Sequence, residues 1–301
     1  MNVIIPTTGK RQTQLLECIN SLKSQTFEVK ITVVLGTSST YIKHQIEKLC
    51  TENNCQLLFE PYTKLCGSHR AVACNHGLKH TQSDIVAFVD DDVSVPPTWA
   101  ETSIKYFKNS VAGVTSGCKP YTSPFHLVQK IGSDAHSKQF TKITTIKSIP
   151  GYNSIYRRQV LNLVGNFNTH IGGCEDWELN YRIRKSGWKL LGIPETPVEH
   201  RHSYTWKSFI KQMFGYGWSR SRLMRTCHVF TFKHSFPSLA LLSFLPLLLF
   251  PPALFFILIL YLIFLSILSI YVNPKRPFNT LLTFIIMYLS WSLGYLKGLI
   301  R

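Results

Sequence analysis

Thirty-seven consecutive residues, Phe236 through Val272, carry no charged side chain. At about 1.5 Å per residue, one straight helix of that length would exceed a hydrocarbon core of about 30 Å. Pro251-Pro252 interrupts the run near its middle. The pattern predicts either two short membrane segments or one span preceded by an interfacial helix. A polar link, Asn273-Pro274-Lys275-Arg276-Pro277, follows, and then a second apolar stretch, Phe278–Leu296. A buried core helix explains so long an uncharged run poorly. Residues 236–301 are therefore expected to form a membrane region of two or three helices. Lys275 and Arg276 favour a cytoplasmic loop and three spans, whereas Lys297 and Arg301 favour a cytoplasmic terminus and two.

Charge divides the chain near the same place. All 16 acidic residues lie at or before Glu199, while 11 of the 33 Lys and Arg residues lie after it. The first two hundred residues read as a globular domain, residues 1–200, only mildly basic. Between it and the apolar tail, residues 201–235 interleave Lys207, Lys211, Arg220, Arg222, Arg225 and Lys233 with Trp206, Phe209, Phe214, Tyr216 and Trp218. Such a segment suits a helix lying in the headgroup layer, a groove for an anionic lipid-linked substrate, or a plain positive flank. Nucleic acid is not an expected partner, because no zinc-finger spacing or RNA-recognition signature accompanies the basic excess. The eight cysteines include no C-x-x-C pair, so neither structural zinc nor a redox motif is indicated, and several sit inside apolar stretches and read as small buried hydrophobes in a reducing compartment. Met1–Pro6 reads as a strand entering a turn, too short for a signal peptide, so the domain is expected in the cytoplasm, attached to a multi-pass membrane region.

Within residues 1–200, strand-like runs at Val3–Ile5, Lys30–Leu35, Gln56–Phe59 and Ile85–Val89 alternate with helix-like spacing around Leu15–Leu22, Tyr41–Leu49 and Ala71–Lys79. Alternation of this kind predicts βα units and a mostly parallel sheet. Gly113–Cys118, Pro150–Tyr156 and Trp188–Ile193 add further strand-like pieces.

The run Ile85–Val89 opens directly into Asp90-Asp91-Asp92. Ligands of open α/β sheets collect at the carboxyl ends of strands. Three adjacent carboxylates repel one another unless a cation sits among them, and hard oxygen ligands suit Mg²⁺ or Mn²⁺. A second acidic cluster, Glu175-Asp176-Trp177-Glu178, follows Gly172-Gly173 and opens a helical pattern. Acids there complement a helix dipole at about 0.3–1 kcal/mol each, but a carboxylate held beside paired glycines can also serve as a general base. His200, at the end of Pro194–His200, places an imidazole near another strand end, and imidazole can complete a Mn²⁺ site.

Five motifs in order carry a resemblance: Val3-Ile4-Ile5-Pro6-Thr7, Ala73-Cys74-Asn75 ahead of Asp84–Asp92, Gly165-Asn166-Phe167, Glu175–Leu179 with Arg182, and Pro194–His200. Together they resemble the family-2 glycosyltransferases over about two-thirds of the length. The resemblance implies an α/β, GT-A-like mixed, mostly parallel sheet flanked by helices and followed by C-terminal transmembrane helices. It implies an inverting enzyme that moves a sugar from a nucleotide-sugar donor to a glycan or lipid-linked acceptor, with Mg²⁺ or Mn²⁺ as cofactor. Asp92 would ligate the metal and His200 would complete its site. Asp90 would lie near the ribose or sugar, with Asp91 at the variable middle position of the acidic motif. Thr7 would contact the base, and Arg70 the nucleotide. Asp176 would be the catalytic base, with Glu175 orienting the acceptor. The family's acid after the second strand is missing from Gly36-Thr37-Ser38-Ser39, so Thr37, Ser38 or backbone groups are expected to recognise the base. Two other readings stand beside this one: a polyprenyl-phosphate sugar synthase, and a non-catalytic glycosyltransferase-like membrane scaffold.

Overall fold

The computed structural model describes residues 1–60, 69–119, 140–201, 205–228, 230 and 232–300; Cys66 and Arg301 lie outside them. The seven described cysteines are all free thiols. Two compact units emerge, one built from the described residues up to Arg201 and one from those from Thr205 onward.

The first unit is organised by β1 (Asn2–Thr7), in which only Pro6 is not buried. A strand buried on both faces needs an almost continuous apolar run, and Val3-Ile4-Ile5 supplies it. After α1 (Gln12–Lys23), β2 (Lys30–Leu35) pairs in parallel with β1. Then α2 (Thr40–Glu52) leads to β3 (Gln56–Phe59), parallel to β2. The helix α3 (His69–Lys79) leads to β4 (Ile85–Val89), parallel to the other side of β1. The carboxyl ends of β3, β2, β1 and β4 consequently lie along one edge, with Leu35 paired to both Thr7 and Phe59.

Beyond β4 the direction changes. The two-residue β5 (Val93–Ser94), α4 (Trp99–Ile104) and β6 (Val111–Thr115) follow, then the short exposed β7 (Thr144–Thr145). Next, β8 (Asn153–Arg157) lies antiparallel between β4 and β6, followed directly by α5 (Arg158–Val164). The last elements of this unit are α6 (Glu175–Lys185), β9 (Lys189–Gly192), parallel to β6, and β10 (Glu199–His200). The eight-stranded order is β3-β2-β1-β4-β8-β6-β9-β7, and β10 forms a separate antiparallel ribbon with β5. The sheet is mixed and mostly parallel on the β1 side, as the alternation predicted. The strand expected over Pro150–Tyr156 is present from Asn153, but it runs against β4, a direction that composition does not encode. Ile4, Phe88, Tyr156, Leu179 and Leu190 share one buried cluster that joins α6 to the sheet. Each large side chain so buried contributes about 1.5–3 kcal/mol relative to exposure.

The second unit contains α7 (Trp206–Cys227), α8 (Phe232–Leu247), α9 (Pro251–Val272) and α10 (Pro277–Ile300). The apolar run thus breaks before Pro251-Pro252, whose rings suit the first turn of a helix and not its interior. The helices α9 and α10 are each long and apolar enough to cross a membrane. Along α7 and α10 the contacts advance together. Phe209 and Met213 share a cluster with Phe284 and Met287, Gly217 meets the Trp291 carbonyl, and Arg225 donates to the Gly298 and Leu299 carbonyls. The two helices therefore run side by side in the same direction. A Cβ at Gly217 or at Gly294 would strike backbone of the opposite helix, which is why small residues stand at this crossing.

Candidate active site

The end of β4 delivers the aspartate trio into a fixed turn. The Asp90 amide donates to the Tyr152 carbonyl at 3.2 Å, and the Val93 amide donates to the Asp90 carbonyl at 3.1 Å. Asp91 and Asp92 are each only 2% exposed, so their charges need partners. Asp91 accepts from the Thr7 hydroxyl at 2.5 Å and from Arg11 Nη2 at 2.5 Å. The other nitrogen of the Arg11 fork donates to Asp92. Burial pushes the Asp91 carboxyl up to about 6, although Arg11 and Thr7 both act to lower it.

His200 reaches the trio because β10 pairs with β5, setting His200 opposite Val93. The amide of the next residue, Arg201, donates to the Asp92 carbonyl at 2.8 Å. His200 Nε2 lies 3.1 Å from Asp92 Oδ1, and the Tyr152 ring stacks on the imidazole with centroids 4.5 Å apart. One ligand atom from each of Asp90, Asp92 and His200 falls within 4.8 Å of the others. Two carboxylate oxygens and an imidazole nitrogen fit a Mg²⁺- or Mn²⁺-type ion.

The second acidic cluster is positioned by an abrupt turn. Gly172, Gly173 and Cys174 all have positive φ, at 77°, 143° and 54°. Glycine adopts such values freely and cysteine does not, so the turn is a specified feature. It starts α6 at Glu175. The Asp176 carboxylate accepts from the Gly151 amide at 3.0 Å and from the Trp177 amide at 2.7 Å. Glu175 is nearly buried, with Oε1 3.7 Å from Arg70 Nη1. Glu178 serves the fold: it receives a bidentate pair from Arg182, whose remaining hydrogen bonds go to the Val164 and Asn166 carbonyls.

Arg70 and Gly151 join the two clusters. Arg70 Nε donates to Asp90 Oδ1 at 3.1 Å, and Nη2 donates to the Gly151 carbonyl at 2.5 Å. Burial alone would lower the guanidinium pKa, but Asp90, Cys74, Glu175 and Asp176 outweigh it and hold Arg70 firmly protonated. Thr7, Arg70, Asp90, Asp91, Asp92, Glu175, Asp176 and His200 thus belong to one connected network around the ends of β1, β4 and α6. Thr7 is the last residue of β1, and its hydroxyl faces Asp91. Asp91, placed by the resemblance at a variable position, has two side-chain partners. Arg11 and Gly151 were not anticipated. In sequence, Lys10-Arg11 looks like any solvated loop charge, and Gly151 like any turn glycine.

Two hollows, of about 890 and 420 Å³, lie away from this network. The larger is lined by Asn2, Lys30, Gln56 and Ser83 among others, and the smaller by Asn75, His76, Arg158 and Asn166 among others. No network carboxylate lines either one.

Comparison with known proteins follows the same lines. The O-antigen chain rhamnosyltransferase WbaN of Salmonella anatum is 24% identical over 226 residues, covering 71% of this chain and 70% of that protein. The pre-mycofactocin glycosyltransferase of Mycobacterium tuberculosis is 24% identical over 176 residues, 56% of this chain. The match spans only 37% of that relative's length. Among solved structures, the mannosyltransferase PcManGT from Pyrobaculum calidifontis, in complex with GDP-Man and Mn²⁺, superposes with a TM-score of 0.68 at 16% identity. It covers 98% of this chain and 86% of its own, a likeness that establishes a GT-A-like fold. Residues 85–295 match the model of glycosyl transferase family group 2. Because residues 2–165, more than half of the chain, match the model of glycosyl transferase family 2, the chain belongs to that family.

Proposed function

We propose that the chain is a membrane-attached inverting glycosyltransferase that moves a sugar from a nucleotide-sugar donor to a glycan or lipid-linked acceptor. The observation that carries this reading is the connection made by Arg70 and Gly151. A cluster fit for a divalent ion and a carboxylate at a helix start are tied through one guanidinium and one peptide group. PcManGT was solved with GDP-Man and Mn²⁺, a donor and ion of the class such a cluster would hold.

In this reading residues 1–200 catalyse, residues 201–235 lie at the interface and residues 236–301 attach the chain to the membrane. Asp90, Asp92 and His200 would hold the ion, whose charge stabilises a departing nucleoside diphosphate. Asp91 and Thr7, with Arg11, set the orientation of Asp92. Asp176 accepts the proton of the acceptor hydroxyl as that oxygen attacks the anomeric carbon. The bond to the diphosphate breaks on the opposite face, so the anomeric configuration inverts. Glu175, beside Arg70, orients the acceptor.

The basic residues after Glu199 favour the anionic cytoplasmic leaflet. We infer that α9, most of whose residues are exposed, enters the bilayer. The helix α10 shares its depth with α7, and Lys207, Lys211, Arg222 and Arg225 fall on one face of α7 at helical spacing. A basic stripe of that length suits the headgroup layer.

The test is nucleoside diphosphate release from a panel of nucleotide sugars by detergent-purified protein with Mn²⁺. Asp92→Ala and Asp176→Asn are each expected to lower turnover at least a hundredfold with thermal midpoints near wild type. Full activity in either variant overturns the assigned roles.

A further inference from the structure

The turn after β2 holds no carboxylate in sequence, yet a carboxylate occupies it in space. Glu60 is the residue after β3, and its amide donates to the Leu35 carbonyl at 2.9 Å, continuing the β2–β3 ladder by one step. Its side chain then folds over Gly36. A Cβ at Gly36 would collide with Glu60 Oε2, so the absence of a side chain at position 36 is what lets the carboxylate lie there. The neighbouring hydroxyls are engaged locally. Thr37 Oγ1 accepts from the Ser39 amide at 3.3 Å, and Ser39 Oγ caps α2 by accepting from the Ile42 amide at 3.3 Å.

The position of this carboxylate along the sheet edge matters. Gly36 N–H donates to the Thr7 carbonyl at 2.9 Å, and the Thr7 hydroxyl donates to Asp91. Glu60, Gly36, Thr7 and the aspartate trio therefore stand in a row at the carboxyl ends of four adjacent parallel strands. At about 4.8 Å per strand the row spans about 14 Å, the reach of a nucleoside diphosphate laid across it. Ligands of such sheets bind outside this edge.

We propose that Glu60 reads the base of the donor nucleotide, accepting a ring N–H and so selecting uracil- or guanine-type bases over cytosine and adenine. The inference rests on the transferase reading and deepens it. Uracil and guanine carry a hydrogen on the ring nitrogen of the pairing edge. Guanine adds an amino group beside it, which suits both oxygens of a carboxylate. Cytosine and adenine present a ring lone pair at that nitrogen, which repels the second oxygen beside any bond to their exocyclic amine. A site built to accept an N–H rejects a base lacking it, because polar groups are left unmatched.

The test uses full-length protein in detergent with saturating Mn²⁺, and calorimetric titration of UDP, GDP, CDP and ADP. Wild type is expected to bind UDP or GDP at least tenfold more tightly than CDP and ADP. Glu60→Ala is expected to reduce that preference below threefold with Mn²⁺ affinity and thermal midpoint unchanged. Glu60→Gln, which adds a donor, is expected to improve CDP binding relative to UDP. Gly36→Ala retains the carboxylate but displaces it, and is expected to behave like Glu60→Ala. Equal binding of all four nucleotides by wild type, or an unchanged preference in both Glu60→Ala and Gly36→Ala, overturns the role of Glu60 alone. Failure of wild type to bind any of the four removes the transferase reading and this inference with it.

Discussion

At the scale of single residues, the site is a problem of concentrated negative charge, solved by two arginines. Arg11 bridges Asp91 and Asp92, and Arg70 bridges Asp90 and Glu175. Asp91 is the member for which burial prevails over its partners. Below about pH 4 it is protonated in both folded and unfolded chains. Between there and about 6 the unfolded chain gives up its proton while the folded chain keeps it, so stability falls as pH rises through this window. Asp91→Asn lacks that penalty. In metal-free protein its thermal midpoint relative to wild type is expected to rise between about pH 4 and pH 7, by the equivalent of roughly 1–3 kcal/mol. Differential scanning calorimetry at the two pH values checks this, and a constant difference would argue against a raised Asp91. The trio was legible because adjacent acids after an apolar run are conspicuous, and the Glu175-Asp176 pair because it follows two glycines and opens a helical pattern. Arg11 was not, because its partners lie about eighty positions away and nothing local marks it.

At the scale of elements, α6 shows how one helix start can give neighbouring acids different partners. Its first turn holds Glu175, Asp176 and Glu178. Asp176 turns towards Gly151, and Glu178 towards Arg182. Dipole complementarity accounts for acids at all three positions but cannot tell them apart. Arg182 also ties α6 to the end of α5 through the Val164 and Asn166 carbonyls. Arg182→Ala should strand the Glu178 carboxylate, which is 4% exposed, and destabilise the first unit by about 3 kcal/mol. Urea unfolding followed by tryptophan fluorescence would measure it, with Mn²⁺ affinity expected to stay near wild type. A loss below about 0.5 kcal/mol would show that the pair contributes little. The strands were legible by composition where they are long and buried, as β1, β2 and β4 are. The two-residue β5, β7 and β10 were not, since so short a ladder is set by the segments that bring it together.

At the scale of the whole molecule, the chain couples an acid-bearing unit to a helical one that contains no acidic residue among positions 205–300. Lys207 and Lys211 are exposed near the start of α7. Replacing both with Gln is expected to weaken partition onto phosphatidylglycerol-containing vesicles by about 2 kcal/mol, close to thirtyfold, and to leave phosphatidylcholine binding unchanged. Equal losses on both lipids would sink the headgroup assignment. Hydrophobic periodicity, the division of charge and the runs of like residues by themselves determined the α/β class, the apolar tail and the two acidic clusters. These depend on neighbours a few positions apart, and local chemistry suffices. Only the tertiary structure decided that β8 runs against β4, that Gly151 meets Asp176, that His200 reaches Asp92 and that Glu60 covers Gly36. Each of these brings together groups from separate stretches of chain, and such meetings are set by how strands order and register once the core is packed.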